Sequence, residues 1–292
     1  MRSGLVVVDK PAGWTSHDVV ARLRRVYGQR RIGHAGTLDP DATGVLLVGL
    51  GRVTRLMRFL QDTDKEYRGE VVFGIATSTL DAAGAVLEER AMPVGRSDVE
   101  RVAAAFVGEI DQVPPMVSAI KVGGRRLHEL ARAGEEVERA PRRVRIDAVT
   151  VEGFTPGDHP RATIHVVCGS GTYVRSLAAD LGAALDGPAH LGSLRRLRVG
   201  AFGLADARAL DVVEADPDAA LLDPATALRG LEAVDVDATD AAAVGHGARL
   251  PGSLADGRGP GPFAVCSGGV LLAVYERRGD DLRAAVVVPT DD

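Results

Sequence analysis

Residues 31–51 constrain this chain more than any other stretch, because a polar loop there leads directly into a short apolar run. Residues 33–44 are rich in Gly, Asp and Pro and include Asp39. Residues 45–50 read V-L-L-V-G-L, which is typical of a buried β-strand. A loop fixed to a buried strand can hold a reactive side chain rigidly while it faces solvent. Asp39 is the candidate reactive group, although an Asp-Pro-Asp sequence is also typical of an ordinary turn.

The complete string around Asp39 favours the reactive interpretation. It reads G-H-A-G-T-L-D-P-D-A-T-G-V-L over residues 33–46 and resembles the catalytic motif of the TruB-type tRNA pseudouridine synthases. The resemblance implies that Asp39 is the catalytic carboxylate. It also implies the reaction: a uridine in the TψC loop of tRNA, at position 55 by tRNA convention, is isomerised to pseudouridine without a cofactor.

Four further segments resemble motifs of the same family and occur in the family's order. They are K-P-A-G-W-T-S-H-D (10–18), K-E-Y (65–67), P-P-M-V-S-A-I-K-V-G-G (114–124) and C-G-S-G-T-Y-V-R (168–175). The resemblance implies that Tyr67 is the active-site tyrosine against the target base. It implies that Arg175 is the ion-pair partner of Asp39. By itself, Tyr67 would be read as a core or cross-strand aromatic.

The resemblance also implies a set of residues that bind the RNA. A uridine inside a folded loop must be extruded from its stack before chemistry can reach it. His34 would then occupy or brace the space that the flipped nucleotide leaves. Asp81 would lie close to the bound nucleotide, although its T-L-D-A-A-G context is also typical of a turn. The other predicted RNA contacts are Tyr173, Leu194, Lys121 and Arg195, and Arg125, Arg126 and Arg196 would extend the basic surface.

Capping residues predict where three helices begin. Ser16 is the predicted N-cap of a helix that ends before Gly28, and Ser97 opens a capping box that continues to Glu100. Ser170 or Thr172 is the predicted cap of the helix that carries Arg175. An Arg in the first turn opposes the helix dipole, which indicates that Arg175 serves another purpose.

The net charge of −5 argues against a nucleic-acid partner, but its distribution does not. Residues 1–200 hold 28 Lys and Arg against 24 Asp and Glu, whereas residues 201–292 hold 7 against 16. Arginines cluster within residues 22–31, 125–145 and 195–198. Binding of a polyanion depends on local potential more than on net charge. The alternative is that these arginines lie on solvated helix faces beside neighbouring Glu residues.

Composition excludes several classes of protein. Cys168 and Cys266 are the two cysteines of the sequence, far apart, which argues against a disulfide framework and a zinc site and favours the reducing cytoplasm. No apolar run approaches the length of a membrane span, and the first ten residues lack the pattern of a signal peptide. The sequence has no phosphate-binding G-x-x-x-x-G-K-[ST] loop and no set of metal ligands, so we expect neither a nucleotide nor a metal cofactor.

The resemblance, together with short strand-like runs near the C-terminus, predicts an α+β protein. Residues 1–223 would form the pseudouridine-synthase catalytic domain around a bent, mainly antiparallel sheet. Residues 224–292 would form a small PUA-like β domain that binds RNA in the family, although here the segment is acidic. We expect the chain to be a monomer.

Three other functions remain open at this point. An RNA-folding chaperone would bind tRNA without needing the chemistry, and both activities can coexist in one enzyme. The guide-RNA-dependent relatives of archaea and eukaryotes act in multi-protein particles, but the sequence lacks their basic flanking extensions. A carboxylate hydrolase would need a second catalytic acid, which the sequence does not offer at a suitable spacing.

Overall fold

The computed structural model describes residues 2–118, 121–122, 125–126 and 137–288, with 121–122 and 125–126 described by their backbone. The chain forms two compact units, each built from separated segments. The first unit contains the described residues up to Pro40, then Gly44–Asp62, then those from Val199 onward. The second unit contains Asp41–Thr43 and the described residues from Thr63 to Arg198.

The helices are α1 (Ser16–Val26), α2 (Met57–Gln61), α3 (Arg96–Ala105), α4 (Val174–Ala183), α5 (Leu210–Ala215), α6 (Pro224–Ala227) and α7 (Ala238–Gly245), with 3-10 turns at Gly51–Arg55 and Gly252–Ala255. The strands are β1 (Gly4–Lys10), β2 (Ile32–Ala35), β3 (Thr43–Leu50), β4 (Lys65–Phe73), β5 (Ile75–Thr77), β6 (Val86–Glu89), β7 (Gly108–Gln112), β8 (Lys121–Val122), β9 (Arg125–Arg126), β10 (Arg142–Thr155), β11 (Arg161–Cys168), β12 (Ala189–Val199), β13 (Phe202–Gly203), β14 (Glu232–Asp235), β15 (Leu250–Pro251), β16 (Phe263–Ser267), β17 (Val270–Arg278) and β18 (Asp281–Val287).

In the first unit, β3 is the strand that the apolar run predicts, and every residue of it after Thr43 is buried. It pairs antiparallel with β1 and with β2, so that Leu50 lies opposite both Gly4 and Ile32. The strand β2 corrects the sequence interpretation, which placed residues 33–35 in a loop. Pairing with β3 satisfies their backbone groups, which the local polar sequence does not reveal. His34 therefore projects from a strand.

The first unit also contains α1, whose N-cap is Thr15 and not Ser16 as predicted. The Thr15 hydroxyl accepts a hydrogen bond from the Asp18 amide at 3.0 Å, and the Asp18 carboxylate accepts one from the Thr15 amide at 2.9 Å. Such a capping box satisfies two backbone donors at the helix start. The helix ends before Gly28, which adopts a φ of 62° as predicted for a residue just beyond a helix.

The C-terminal part of the first unit is a five-stranded sheet in the order β14-β16-β17-β18-β15, which confirms the predicted small β fold. The strand β14 runs parallel to β16, while the other neighbours are antiparallel. One buried apolar cluster lies among these strands and includes Phe263 and Tyr275. A second joins Leu47 of β3 to Val274 of β17. The boundary at Asp223 stays a prediction.

The second unit contains a sheet in the order β12-β4-β11-β10-β7, in which β4, β11, β10 and β7 pair antiparallel. The helix α3 packs against β10, and α4 packs against β4. The N-cap of α3 is Gly95, whose amide donates to the Asp98 carboxylate, so Ser97 is not the cap. The N-cap of α4 is Tyr173, and neither Ser170 nor Thr172 has that role.

Helices and mainly antiparallel sheets in both units confirm the predicted α+β class. Within the described ranges, no helix has both the length and the apolar character needed to cross a membrane.

Candidate active site

Asp39 lies in the turn between β2 and β3, and the backbone on both sides of it is anchored. On its N-terminal side, the buried Ser16 hydroxyl accepts a hydrogen bond from the Leu38 amide at 2.9 Å. On its C-terminal side, the Pro40 carbonyl accepts hydrogen bonds from the Lys10 ammonium at 2.8 Å and from the Gly13 amide at 3.0 Å. The Asp39 side chain itself is half-buried. The turn is thus held by Lys10, Gly13 and Ser16. The sequence interpretation matched the string that contains them as a motif without a role.

Lys10 is fully buried, and its ammonium compensates for that burial with several hydrogen bonds to carbonyl groups. Besides Pro40, it donates to Pro11 at 2.9 Å and to Trp14 at 2.6 Å. A buried cation requires such partners, because an unpaired charge inside a protein is costly. The ammonium therefore ties the segment after β1 to the turn that carries Asp39.

His34 projects from β2, where its backbone lies opposite Val48 of β3. Its ring meets the ring of the exposed His17 edge to face, with a centroid distance of 5.4 Å and an interplanar angle of 81°. Edge-to-face contact is a favourable arrangement of aromatic rings. The two histidines come from separate family-like motifs, and the first unit places them side by side.

Arg175 lies in the first turn of α4 and is 4% exposed. Its guanidinium pairs with the Asp81 carboxylate at 3.2 Å. It also donates to the Thr79 carbonyl at 3.2 Å and to the Val117 carbonyl at 2.8 Å. These contacts explain why an arginine is tolerated at a dipole-unfavourable position. The predicted pairing of Arg175 with Asp39 stays a prediction, and the partner that the described contacts give is Asp81.

The Asp81 carboxylate takes part both in a turn and in the ion pair with Arg175. One carboxylate oxygen accepts hydrogen bonds from the Thr79 hydroxyl and from the Ala83 amide, which is a typical Asx turn. The other oxygen faces Arg175. These contacts support the turn interpretation of Asp81, and its predicted closeness to the bound nucleotide stays a prediction.

Tyr173 is anchored through its backbone by Gln112, a buried residue that the sequence interpretation missed. The Gln112 amide oxygen accepts from the Tyr173 amide at 2.8 Å, and its NH₂ group donates to the Tyr173 carbonyl at 3.1 Å. This pair of bonds replaces the side-chain cap predicted for α4. The Ser176 hydroxyl also donates to the Val113 carbonyl at 2.9 Å. The start of α4 is thus fastened to the end of β7.

Tyr67 lies on β4 opposite Val166 and is buried at 8% exposure. Side chains two residues apart on a strand point to the same face of the sheet. A side chain at position 69 would therefore share a face with Tyr67. A Cβ at Gly69 would lie 3.4 Å from the Leu194 Cδ1 atom. The half-buried Leu194 therefore packs over the face of β4 that carries Tyr67, and its contact with RNA stays a prediction.

The predicted basic residues separate into different environments. The Arg195 guanidinium donates to the Thr43 hydroxyl at 3.2 Å and is half-exposed. Arg196 is 1% exposed, so the expectation that it extends the basic surface is wrong. Successive residues of a strand face opposite sides of a sheet, which separates Arg195 from Arg196. The side chain of Lys121 lies outside the described residues, as do those of Arg125 and Arg126.

Other chemistries find little support at these positions. Burial raises the pKa of the Cys168 thiol to about 11, so it is protonated at neutral pH and is a poor nucleophile. Across the part of the chain that the structure describes, no group of three or more His, Cys, Asp or Glu side chains is arranged to hold a metal ion.

Comparison with known proteins decides the family. The model of the TruB family pseudouridylate synthase (N terminal domain) matches residues 24–174. The chain belongs to the TruB family of pseudouridylate synthases. It is an enzyme of the pseudouridine synthase class, an isomerase, as the motif resemblance implied.

Curated relatives match over nearly the whole chain. The tRNA pseudouridine synthase B of Thermobifida fusca is 46% identical, and the alignment covers 98% of this chain and 99% of the relative. The enzyme of the same name from Symbiobacterium thermophilum is 51% identical over 245 residues, which are 84% of this chain and 82% of the relative. Family membership therefore rests on long alignments as well as on short motifs.

Solved structures support the same fold. A chain of the Cbf5–Nop10–Gar1 complex aligns with a TM-score of 0.75 at 26% identity, over 98% of this chain and 85% of its own length. A chain of the archaeal box H/ACA Nop10–Cbf5 complex aligns with a TM-score of 0.71 at 25% identity, over 98% and 86%. These similarities extend the agreement into the C-terminal β sheet.

Proposed function

We propose that this enzyme converts the uridine at position 55, in the TψC loop of tRNA, into pseudouridine, with Asp39 as its catalytic carboxylate. The curated relatives carry the name of a tRNA pseudouridine synthase. The observation that carries the assignment to Asp39 is the anchoring of its turn: Leu38 is fixed by Ser16, and Pro40 by Lys10 and Gly13. A half-buried carboxylate between two fixed backbone positions is preorganised for reaction.

The reaction rearranges bonds within one nucleotide. The C1′–N1 glycosidic bond breaks, the uracil turns, and a C1′–C5 bond forms. The C5 proton passes to solvent and N1 takes up a proton, so the product is an isomer of the substrate. No electrons are gained or lost, so neither an oxidant nor a nucleotide cofactor is needed. An ionised carboxylate can act in this sequence as a nucleophile or as a base. Asp39 supplies that group, Arg175 offsets its charge, and Tyr67 lies against the base.

Substrate binding in this proposal combines base flipping with contacts to the loop backbone. His34 braces the space that the flipped uridine leaves, and its ring packs edge to face on that of His17. The other proposed contacts to the tRNA stem-loop are those of Asp81, Tyr173, Leu194, Lys121 and Arg195. We propose a monomer that acts in the cytoplasm.

The test is release of tritium from a tRNA transcript that carries [5-³H]uridine, with no cofactor added. The wild-type protein should release tritium, and Asp39→Asn should fall to the uncatalysed level. Asp41→Asn is the matched control, because Asp41 is an exposed carboxylate of the same turn and should leave release unchanged. Equal release by the wild-type and Asp39→Asn proteins would exclude Asp39 as the catalytic group.

The same assay locates the modified position. A transcript with cytidine at position 55 should release no tritium above background, and normal release from it would place the target uridine elsewhere. If Asp39→Asn still refolded misfolded tRNA, the chain would also have the chaperone activity, since that activity does not need the carboxylate.

A further inference from the structure

Ser16 is 1% exposed and lies at the first residue of α1, where its hydroxyl points to the turn that carries Asp39. The Oγ atom accepts a hydrogen bond from the Leu38 amide at 2.9 Å and donates one to the Leu38 carbonyl at 3.2 Å. One hydroxyl thus satisfies both backbone groups of the residue before Asp39. A hydroxyl has the one donor and two acceptor sites that this arrangement needs.

We propose that Ser16 is a positioning residue that fixes the direction of the Asp39 carboxylate by holding the Leu38 peptide. The proposal rests on the catalytic role proposed for Asp39. In this role the Ser16 hydroxyl acts through the backbone of the turn, by way of its two hydrogen bonds with Leu38.

The surroundings of Leu38 explain why this contact matters. The Leu38 side chain is 3% exposed, so the residue is anchored in the core and its peptide groups are shielded from water. Buried backbone donors and acceptors require partners. Without the Ser16 hydroxyl, the Leu38 peptide must rotate toward water or another partner, and this rotation is transmitted to Asp39. A displacement of about 1 Å in a reacting group can cost about 100-fold in rate.

The hydroxyl of Ser16 is separate from the capping of α1, because Thr15 provides the cap. Thr15 and Ser16 are neighbours in sequence, and loss of either hydroxyl removes hydrogen bonds at the start of the same helix. The contacts that reach across to residue 38 belong to Ser16. Thr15→Ala is therefore a matched control for Ser16→Ala: it weakens the helix and leaves the turn in place.

The experiment compares single-turnover tritium release and tRNA binding for the wild-type, Ser16→Ala and Thr15→Ala proteins. In Ser16→Ala we expect the rate constant at saturating enzyme to fall about 10- to 100-fold, with the Kd for tRNA unchanged. In Thr15→Ala we expect both values to match the wild type once the folded fraction is accounted for. The folded fraction can be followed by the fluorescence of Trp14, the one tryptophan of the sequence.

A wild-type rate constant in folded Ser16→Ala would overturn the proposal, and so would equal losses in Ser16→Ala and Thr15→Ala. If Ser16→Ala does not fold, Ser16→Cys replaces it, since a thiol is close in size but forms weaker hydrogen bonds. Its rate constant should again fall, and amide hydrogen exchange in the peptide that contains Leu38 should accelerate. A full rate with unchanged exchange would also overturn the proposal.

An Asp39→Asn protein assayed in parallel separates this proposal from the one on which it rests. Activity in Asp39→Asn would refute the catalytic role of Asp39. An inactive Asp39→Asn beside a fully active Ser16→Ala would refute the positioning role alone.

Discussion

At the scale of single residues, the buried Arg175 guanidinium needs compensation for the loss of its hydration. Two backbone carbonyls and the Asp81 carboxylate provide it. A buried charge whose partner is removed is strongly destabilising, because the remaining charge stays desolvated. Asp81 is 23% exposed, so water can replace part of what its carboxylate supplies.

We therefore predict that Asp81→Asn lowers the free energy of unfolding by about 2 kcal/mol. Breaking a fully buried ion pair costs more, about 3–5 kcal/mol. Urea unfolding measures this loss. Asp111→Asn is the control, because the pair of Asp111 with Arg143 lies on the surface at 58% and 61% exposure. Exposed pairs contribute at most about 1 kcal/mol. Equal losses in the two variants would mean that Asp81 does not offset the buried charge of Arg175.

The sequence motifs predicted the residue types of the site but not the contacts that hold them. Asp39, Tyr67 and Arg175 are recognisable because each lies in a short string of fixed spacing. The Arg175–Asp81 pair joins residues 94 positions apart, and the Gln112–Tyr173 bonds span 61 positions. Such contacts arise when strands and helices assemble, so local pattern carries no signal for them. The prediction that Arg196 lies on the surface was wrong, because a cluster of basic residues in the sequence does not reveal which face of a strand each one occupies.

At the scale of elements, secondary structure was predictable where local physics determines it. The strand β3 follows from its apolar run, and the end of α1 follows from Gly28. The strand β2 and the start of α4 were missed, because partners distant in sequence satisfy their backbone groups. These partners are Val48 and its neighbours for β2, and Gln112 for Tyr173.

The element scale also gives a pH-dependent prediction, from Glu66 on β4. Its carboxylate contacts the imidazole of His165 on β11 at 2.6 Å and accepts a hydrogen bond from Arg198 on β12 at 3.0 Å. The hydrogen bond with His165, followed by that from Arg198, lowers the pKa of Glu66 below its ordinary value of 4.5. A lowered pKa in the folded state stabilises the fold above about pH 4.5, and this stabilisation is lost as the pH falls through the folded-state pKa.

Glu66→Gln should therefore be less stable than the wild type at pH 7, and the difference should shrink as the pH falls below 4.5. Urea unfolding at a series of pH values measures the difference. Glu109→Gln is the control, since Glu109 is 70% exposed and its contact with Arg143 is long, at 3.8 Å. A difference between wild type and Glu66→Gln that stays constant with pH would show that the charge of Glu66 does not stabilise the sheet.

At the scale of the whole molecule, the separation of charge along the chain bears on how a protein of net charge −5 binds RNA. The excess of acidic over basic residues lies after residue 200, where the C-terminal sheet is found. Several arginines of that region are exposed but already paired, as Arg249 is with Asp281 and Arg278 is with Glu276. The exposed Arg25 and Arg30 lie in the arginine cluster of residues 22–31. If local potential controls binding, these two regions must respond differently to loss of charge.

We predict that the double variant Arg25→Glu/Arg30→Glu weakens tRNA binding. The slope of log Kd against log salt concentration should also fall, by about one for each phosphate that the protein no longer neutralises. The control, Arg249→Glu/Arg278→Glu, changes the net charge by the same amount and should leave the slope unchanged. Filter binding of a tRNA transcript at several salt concentrations measures both slopes, and urea unfolding checks that both variants fold. An equal loss of tRNA affinity in the two variants would mean that RNA binding depends on net charge and not on the arginine cluster near the N-terminus. A loss confined to Arg25→Glu/Arg30→Glu would show that an acidic protein binds a polyanion through a local basic surface.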